Sequence, residues 1–284
     1  LSGLPAIRQI GLFKFLFGQV WDPTNTTTGA EYGILPFILT SVYGTAGAMV
    51  IGVPIGLMTA IFLSKLAPAP VAGAILLGVP VGYMTAVFLA KMAPPKLKTA
   101  VSAAVSLLAG IPSVVYGLVG MIVLVPLIRT TFSLGSGACL LAAILVLSIM
   151  VLPSIINVSE TALRAVPREY EEASLALGAT AAETYFRVSL HAARSGVATA
   201  VVLGVGRAIG EAMAIIMVAG NVANMPGLFR SVRFLTTGII SGMSYAPVGS
   251  LYQQALFSIG LVLFLFIMLI NVFLNVFIKK RKED

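Results

Sequence analysis

Residues 170–196 read YEEASLALGATAAETYFRVSLHAARSG. Charge collects in this stretch: Glu171, Glu172, Glu183, Arg187 and Arg194 fall within about one helix length, in a chain that is 58% hydrophobic and 10% charged. Ala, Leu and Glu favour helix, and Gly178 is the natural break between two short helices. The pattern predicts a helix–Gly–helix loop between two long apolar segments. Two readings fit it: an amphipathic connector lying on the lipid surface, or a compact knob offered to a partner.

Outward from this loop the chain is apolar in both directions. Runs at about 42–63, 71–90, 99–128, 138–157, 195–220 and 251–278 are each long enough to cross roughly 30 Å of hydrocarbon as a helix. A mean hydropathy of +1.03 excludes an ordinary soluble domain. The fold class expected is an all-α polytopic membrane protein. The formal net charge of +8 does not point to nucleic acid, because the basic residues sit between and beside apolar runs. Lys279, Lys280, Arg281 and Lys282 place the C-terminus in the cytoplasm. Counting back, 221–250 is outside, 158–194 inside and 129–137 outside, and Lys91, Lys96 and Lys98 are inside. Cys139 and His191 are the single cysteine and the single histidine, so neither a disulfide nor a thiolate or histidine metal site is expected within the chain.

A tandem repeat complicates the count. AGAMVIGVPIGLMTAIFLSKLAP (46–68) and AGAILLGVPVGYMTAVFLAKMAP (72–94) are identical at 15 of 23 positions. If both copies span, residues 1–40 face the cytoplasm; if residues 1–40 are outside, one copy does not fully cross. Copy two leads directly into the basic PPKLK turn, so it is read as the span. Copy one is then expected to be an extra, peripheral or re-entrant element.

Two apolar runs carry polar marks. In GVGRAIGEAMAIIMVAGN (204–221), Arg207 and Glu211 stand four apart and are expected to share one helix face. Arg207 lies 13 residues beyond Arg194, roughly 20 Å along a helix and well inside the bilayer. A charge at that depth costs about 3 kcal/mol on insertion scales. Either the two residues form a structural ion pair, or Arg207 offers a charged fork to a passing oxyanion while Glu211 limits how tightly it binds. In LAGIPSVVYG (108–117), Gly110, Pro112 and Ser113 interrupt a run, as a simple kink or as a bend lining a path opposite the Arg207 helix.

These motifs carry a resemblance. Glu172-Ala173-Ser174, three residues, Gly178, nine residues and Val188-Ser189-Leu190 resemble the EAA loop of ABC-importer permeases, with Ser174 in place of the second Ala and His191 in place of the usual Pro. RAIGEAMA, AGIPSVVYG, GLFKFLFGQVWDPT and YGILP resemble the PstC-type permease subunits of phosphate-specific ABC importers over nearly the whole chain apart from the duplication. The resemblance implies a MetI-like core of about five transmembrane helices plus the duplicated segment. It implies a periplasmic segment 1–40, a permease domain 41–284 and a cytoplasmic coupling loop at about 158–194. That family has a further N-terminal helix, so Leu1 is expected to follow such a span.

The implied function is that of an inner-membrane subunit forming part of a path for phosphate, with no enzymatic activity of its own. The implied partners are a PstA-type second permease in a heterodimer, a dimeric ABC ATPase, a periplasmic phosphate-binding protein and membrane lipid. ATP and Mg would sit on the ATPase, since this chain has no G-x-x-x-x-G-K-[ST] loop and no cofactor of its own is expected. Arg207, Glu211, Pro112 and Ser113 would line the path, and Glu172, Ala173 and Gly178 would dock the ATPase. The alternatives are a non-transporting scaffold or sensor, and an importer of a related oxyanion.

Overall fold

The computed structural model describes residues 3–25, 29–61 and 95–283. Two short helices, α1 (Leu4–Ile10) and α2 (Leu12–Phe17), open the chain and are separated by Gly11. A two-residue hairpin follows, β1 (Trp21–Asp22) against β2 (Glu31–Tyr32), with Trp21 opposite Tyr32 and Asp22 opposite Glu31. Then come α3 (Leu35–Ile61), α4 (Pro95–Gly110), α5 (Ser113–Thr131) and α6 (Leu140–Arg164). The polar stretch forms α7 (Arg168–Ala176) and α8, which starts at Ala181–Glu183 and runs on through a π-helical segment, Thr184–Ser189, to Leu190–Ala192. The chain ends with α9 (Arg194–Gly210), α10 (Met213–Val218), α11 (Leu235–Met243) and α12 (Leu251–Glu283).

Among the described residues α3, α5, α6 and the Leu251–Val272 part of α12 are long and apolar enough to cross a membrane. Helix Thr184–Ala192 and α9 meet at a 74° bend and together pass the same test. Gly110 does end one helix and Pro112 does precede the next. Pro112 is held at φ −59° and ψ 143°, an extended conformation that serves as the N-cap of α5.

The chain forms two compact units. The first joins residues 1–48, 112–147 and 206–273. Its core holds Phe15, Trp21, Ile34, Phe37, Leu235, Leu256 and Ile259. Trp21 is the hub, with ring centroids 5.7 Å from Tyr32, 5.4 Å from Phe37 and 6.2 Å from Tyr252. A Cβ at Gly33 would lie 2.3 Å from the Gly18 carbonyl carbon, so the hairpin base closes only with glycine there. Residues 221–250 are not the plain loop that charge alone suggested. They contain α11, whose Leu235, Thr236, Thr237 and Gly238 are buried. Leu235 N donates to Ser41 Oγ at 3.1 Å, tying α11 to α3. Leu140 N and Leu141 N donate to the carbonyls of Arg230 and Leu228, so the start of α6 and the 221–234 segment lie together.

Among the described residues the second unit joins 49–61, 95–111, 148–205 and 274–283. Its core contains Ala60, Ile61, Val105, Ile156, Leu163, Val166 and Ala193. Here the repeat reading needs correction. The described part of copy one, 46–61, is not peripheral: it is the second half of the 27-residue α3. Apolar residues from Leu35 onward start the helix before the repeat does, and so make it long enough to span. Within this unit α3 packs on α6 through small residues. A Cβ at Gly52 would meet Val151 Cγ2 at 2.7 Å, and one at Gly56 would meet Ile155 Cγ2 at 2.6 Å. Small residues four apart are the usual means of close helix contact in a membrane. Copy two, including the expectation that it spans, lies outside the described residues.

Candidate functional site

The polar stretch 168–192 folds as a cross-braced knob. Pro167 precedes α7, and Glu169 and Glu171 occupy its first turn, where acids suit the helix dipole. Gly178 turns the chain at φ +87° with nothing near its Cα, so the need for glycine is conformational rather than spatial. Thr180 then caps α8. Its hydroxyl accepts from Glu183 N at 3.3 Å, and Glu183 Oε2 accepts from Thr180 N at 3.0 Å. These Thr180 donors, the backbone N–H first and the hydroxyl second, hold the Glu183 carboxyl below the usual carboxylate range.

Two hydrogen bonds tie α7 to α8. Ser174 Oγ and the buried Thr184 Oγ1 are 2.9 Å apart, and buried Ser189 donates to Glu171 Oε1 at 2.7 Å. Tyr185, Phe186 and Leu190 seat the knob on the Leu163–Val166 end of its unit. Of the residues predicted for docking, Glu172, Ala173 and Gly178 are all exposed. Leu177 beside them is 89% exposed. The departure at Ser174 is therefore a brace. The bracing roles of Glu171, Thr184 and Ser189 and the cap at Thr180 escaped the sequence reading, although T-x-x-E at 180–183 is a capping-box signature. His191 is exposed on the surface.

The intramembrane residues are arranged differently from expectation. Helix α9 stops at Gly210, and Glu211 does not continue its face. Glu211 Oε1 instead accepts from Ala214 N at 3.0 Å, capping α10, and Glu211 O accepts from Thr236 Oγ1 at 2.7 Å. No ion pair joins Arg207 to Glu211 among the described residues. The carboxylate satisfies a helix-terminal N–H rather than the guanidinium, and four-residue spacing no longer aligns two side chains once the helix breaks. Arg207 is half-buried, within electrostatic reach of Tyr116 on α5. A Cβ at Gly117 would lie 2.8 Å from Ala214 Cα, so α5 and α10 touch backbone to backbone. Ser113 occupies the first turn of α5, one turn before Gly117, and exposed Pro112 precedes it. The first turns of α5 and the Arg207–Met217 segment thus belong to one unit.

Beyond α10 the chain turns at Asn221, whose φ is +55°. Its carbonyl accepts from Arg233 Nε at 2.9 Å and Arg233 Nη2 at 2.7 Å, and its Nδ2 donates to Ser241 Oγ. Asn221 Oδ1 is buried without a hydrogen-bond partner among the described residues. Sequence reading missed Arg233, which looks like any loop arginine.

Residues 78–283 match the family described as the binding-protein-dependent transport system inner membrane component. The YqgH ABC transporter permease protein of Bacillus subtilis (strain 168) is 39% identical over 270 residues, covering 93% of this chain and 78% of that protein. The phosphate transport system permease protein PstC of Haemophilus influenzae is 32% identical over 299 residues, covering 98% and 84%. The PstC of Mesorhizobium japonicum is 32% identical over 278 residues, covering 91% and 76%. Among solved structures, a chain of the inward-facing MetNI methionine ABC transporter superposes with a TM-score of 0.58 at 22% identity, over 87% of this chain and 94% of that one. That likeness shows the MetI-like fold. The chain belongs to the binding-protein-dependent transport system inner membrane component family: it is a multi-pass inner-membrane permease subunit of an ABC importer, not itself an enzyme, working with a separate ATPase.

Proposed function

We propose that this subunit forms half of a phosphate path, pairs with a second, PstA-type permease, and receives substrate from a periplasmic phosphate-binding protein. Relatives named as phosphate permeases support the substrate. The observation that carries the reading is Arg207. It is a cation roughly 20 Å along α9 from Arg194, with no ion pair to Glu211 among the described residues. A guanidinium left without that carboxylate has its fork available to an oxyanion. Glu211 serves the path indirectly, by fixing the start of α10, against which the Ser113–Gly117 turn of α5 packs. Pro112 and Ser113 shape the adjoining bend. Glu172, Ala173 and Gly178 present the knob to the ATPase, which carries ATP and Mg.

The test is ATP-dependent phosphate uptake into vesicles by the complete complex, parent beside Arg207→Gln at matched assembly. Uptake in the parent and its loss in the variant are expected. Equal uptake by both would reduce Arg207 to a structural residue. Competition by sulfate, arsenate or phosphonate reads selectivity, and an intact complex that takes up no anion would favour a scaffold.

A further inference from the structure

A cavity of about 770 Å³ opens in the first unit, lined among others by Trp21, Asp22, Tyr32, Arg233, Ser250 and Tyr252. Its size is within the range of small-molecule sites, about 300–1,000 Å³. Its walls are the N-terminal hairpin, the segment around α11 and the first turn of α12. Since the basic tail of α12 is cytoplasmic, the start of α12 and this cavity face outside.

Arg233 is the cation in that wall. It is partly buried, its guanidinium carbon 5.8 Å from the centre of the Phe37 ring. Its two hydrogen bonds both go to one neutral acceptor, the Asn221 carbonyl. That leaves part of the five-donor fork unused. No carboxylate forms an ion pair with it among the described residues. Asp22 lines the same cavity, its Oδ1 accepting from Thr24 N at 3.3 Å and Thr24 Oγ1 at 3.2 Å; these neutral donors do not cancel a carboxylate charge, so an anion is held on the Arg233 side of the cavity. A partly buried charge without a counter-charge is costly. Tyr32, Tyr245 and Tyr252 line the same cavity, and phenol hydroxyls donate to anions as readily as they accept.

We infer that Arg233 and the hydroxyls of this cavity form an outer capture site for a hydrated tetrahedral oxyanion, separate from and preceding the Arg207 site. The cavity exceeds a bare anion, so the ligand keeps water on the side away from Arg233. Held by one fork, the anion is released readily, as a site on a path requires. The inference rests on the phosphate reading for the identity of the anion.

Binding of inorganic phosphate is measured on the purified complex of this chain with its partner permease and ATPase, without the delivering binding protein. The Arg207→Gln complex is expected to retain a phosphate site. Adding Arg233→Gln should weaken that site roughly tenfold or more, the effect of removing a charge-assisted hydrogen bond. Ser250→Asp provides a second variant that leaves Arg233 in place. Ser250 Oγ accepts from Gln253 N at the start of α12, a bond that Asp also makes, and donates to the Pro247 carbonyl, a bond that Asp gives up; the helix start is kept while a negative charge enters the cavity. It too should weaken phosphate binding. Unchanged binding in both variants overturns the inference. So does unchanged binding accompanied by loss of ATPase stimulation by the binding protein, which would make Arg233 a protein contact. If the complex binds sulfate and not phosphate, and sulfate binding depends on Arg233, the outer site stands and the phosphate reading falls.

Discussion

Glu211 shows how one side chain changes the meaning of a motif. As a partner for Arg207 it would neutralise the path; as the cap of α10 it leaves the arginine free of it. Glu211→Ala should destabilise the complex by about 1 kcal/mol, the usual cost of a lost cap, whereas Glu211→Gln keeps an acceptor and should lose less. Thermal melting of the purified complex separates the two. Glu183 makes a pH prediction. Its native pKa lies below the ordinary value of 4.5. Its bond to Thr180 therefore contributes stability above that value and loses it as pH falls through the native pKa. Hydrogen-exchange protection at Thr184, corrected for intrinsic rates, should drop in that window in the parent and be low throughout in Glu183→Ala. Gly178 at φ +87° should tolerate Ala only with about 1–2 kcal/mol of backbone strain. Phosphate uptake per ATP hydrolysed would report it.

At the scale of elements, one neutral hydrogen bond and one to a carboxylate brace α7 against α8. The neutral bond is worth about 1 kcal/mol and the bond to the carboxylate about 2 kcal/mol. Ser174→Ala with Ser189→Ala should leave the helices formed but loosen the knob, lowering transport more than ATP hydrolysis. Equal losses in both would place the braces in folding alone. The α3–α6 contact makes the opposite kind of prediction. Gly52→Leu has no space beside Val151, and overpacking there should cost about 1–3 kcal/mol, visible as a lower melting temperature or loss of assembly. An unaffected complex would show that copy one does not pack as a membrane helix.

For the whole molecule, charge sets the expected orientation. Tyr245 is 83% exposed just after α11, and Leu177 is 89% exposed on the knob. Cys139 is buried, so the native background for thiol labelling is low. A membrane-impermeant maleimide should label Tyr245→Cys in intact cells and Leu177→Cys only after permeabilisation. The reverse pattern would invert the topology and move the Arg233 cavity to the cytoplasmic side.

The membrane class, the helix–Gly–helix coupling loop and the break at Pro112 were all legible in the sequence. Each follows from local chemistry: apolar length, the conformational freedom of Gly178, and the missing N–H of Pro112. Orientation is an expectation of the same local kind, since charge excess at helix ends acts residue by residue. What the sequence could not decide was pairing. Whether Glu211 meets Arg207 or Ala214 N depends on a helix break whose carbonyl is held by Thr236, 25 residues away. Arg233 becomes distinctive only through Asn221 and the aromatic wall around Trp21. The fate of copy one turned on residues 35–45 and on glycine contacts with α6. Hydrogen bonds and close packing select among partners that are distant in the chain, so they are settled only when the tertiary structure brings those partners together.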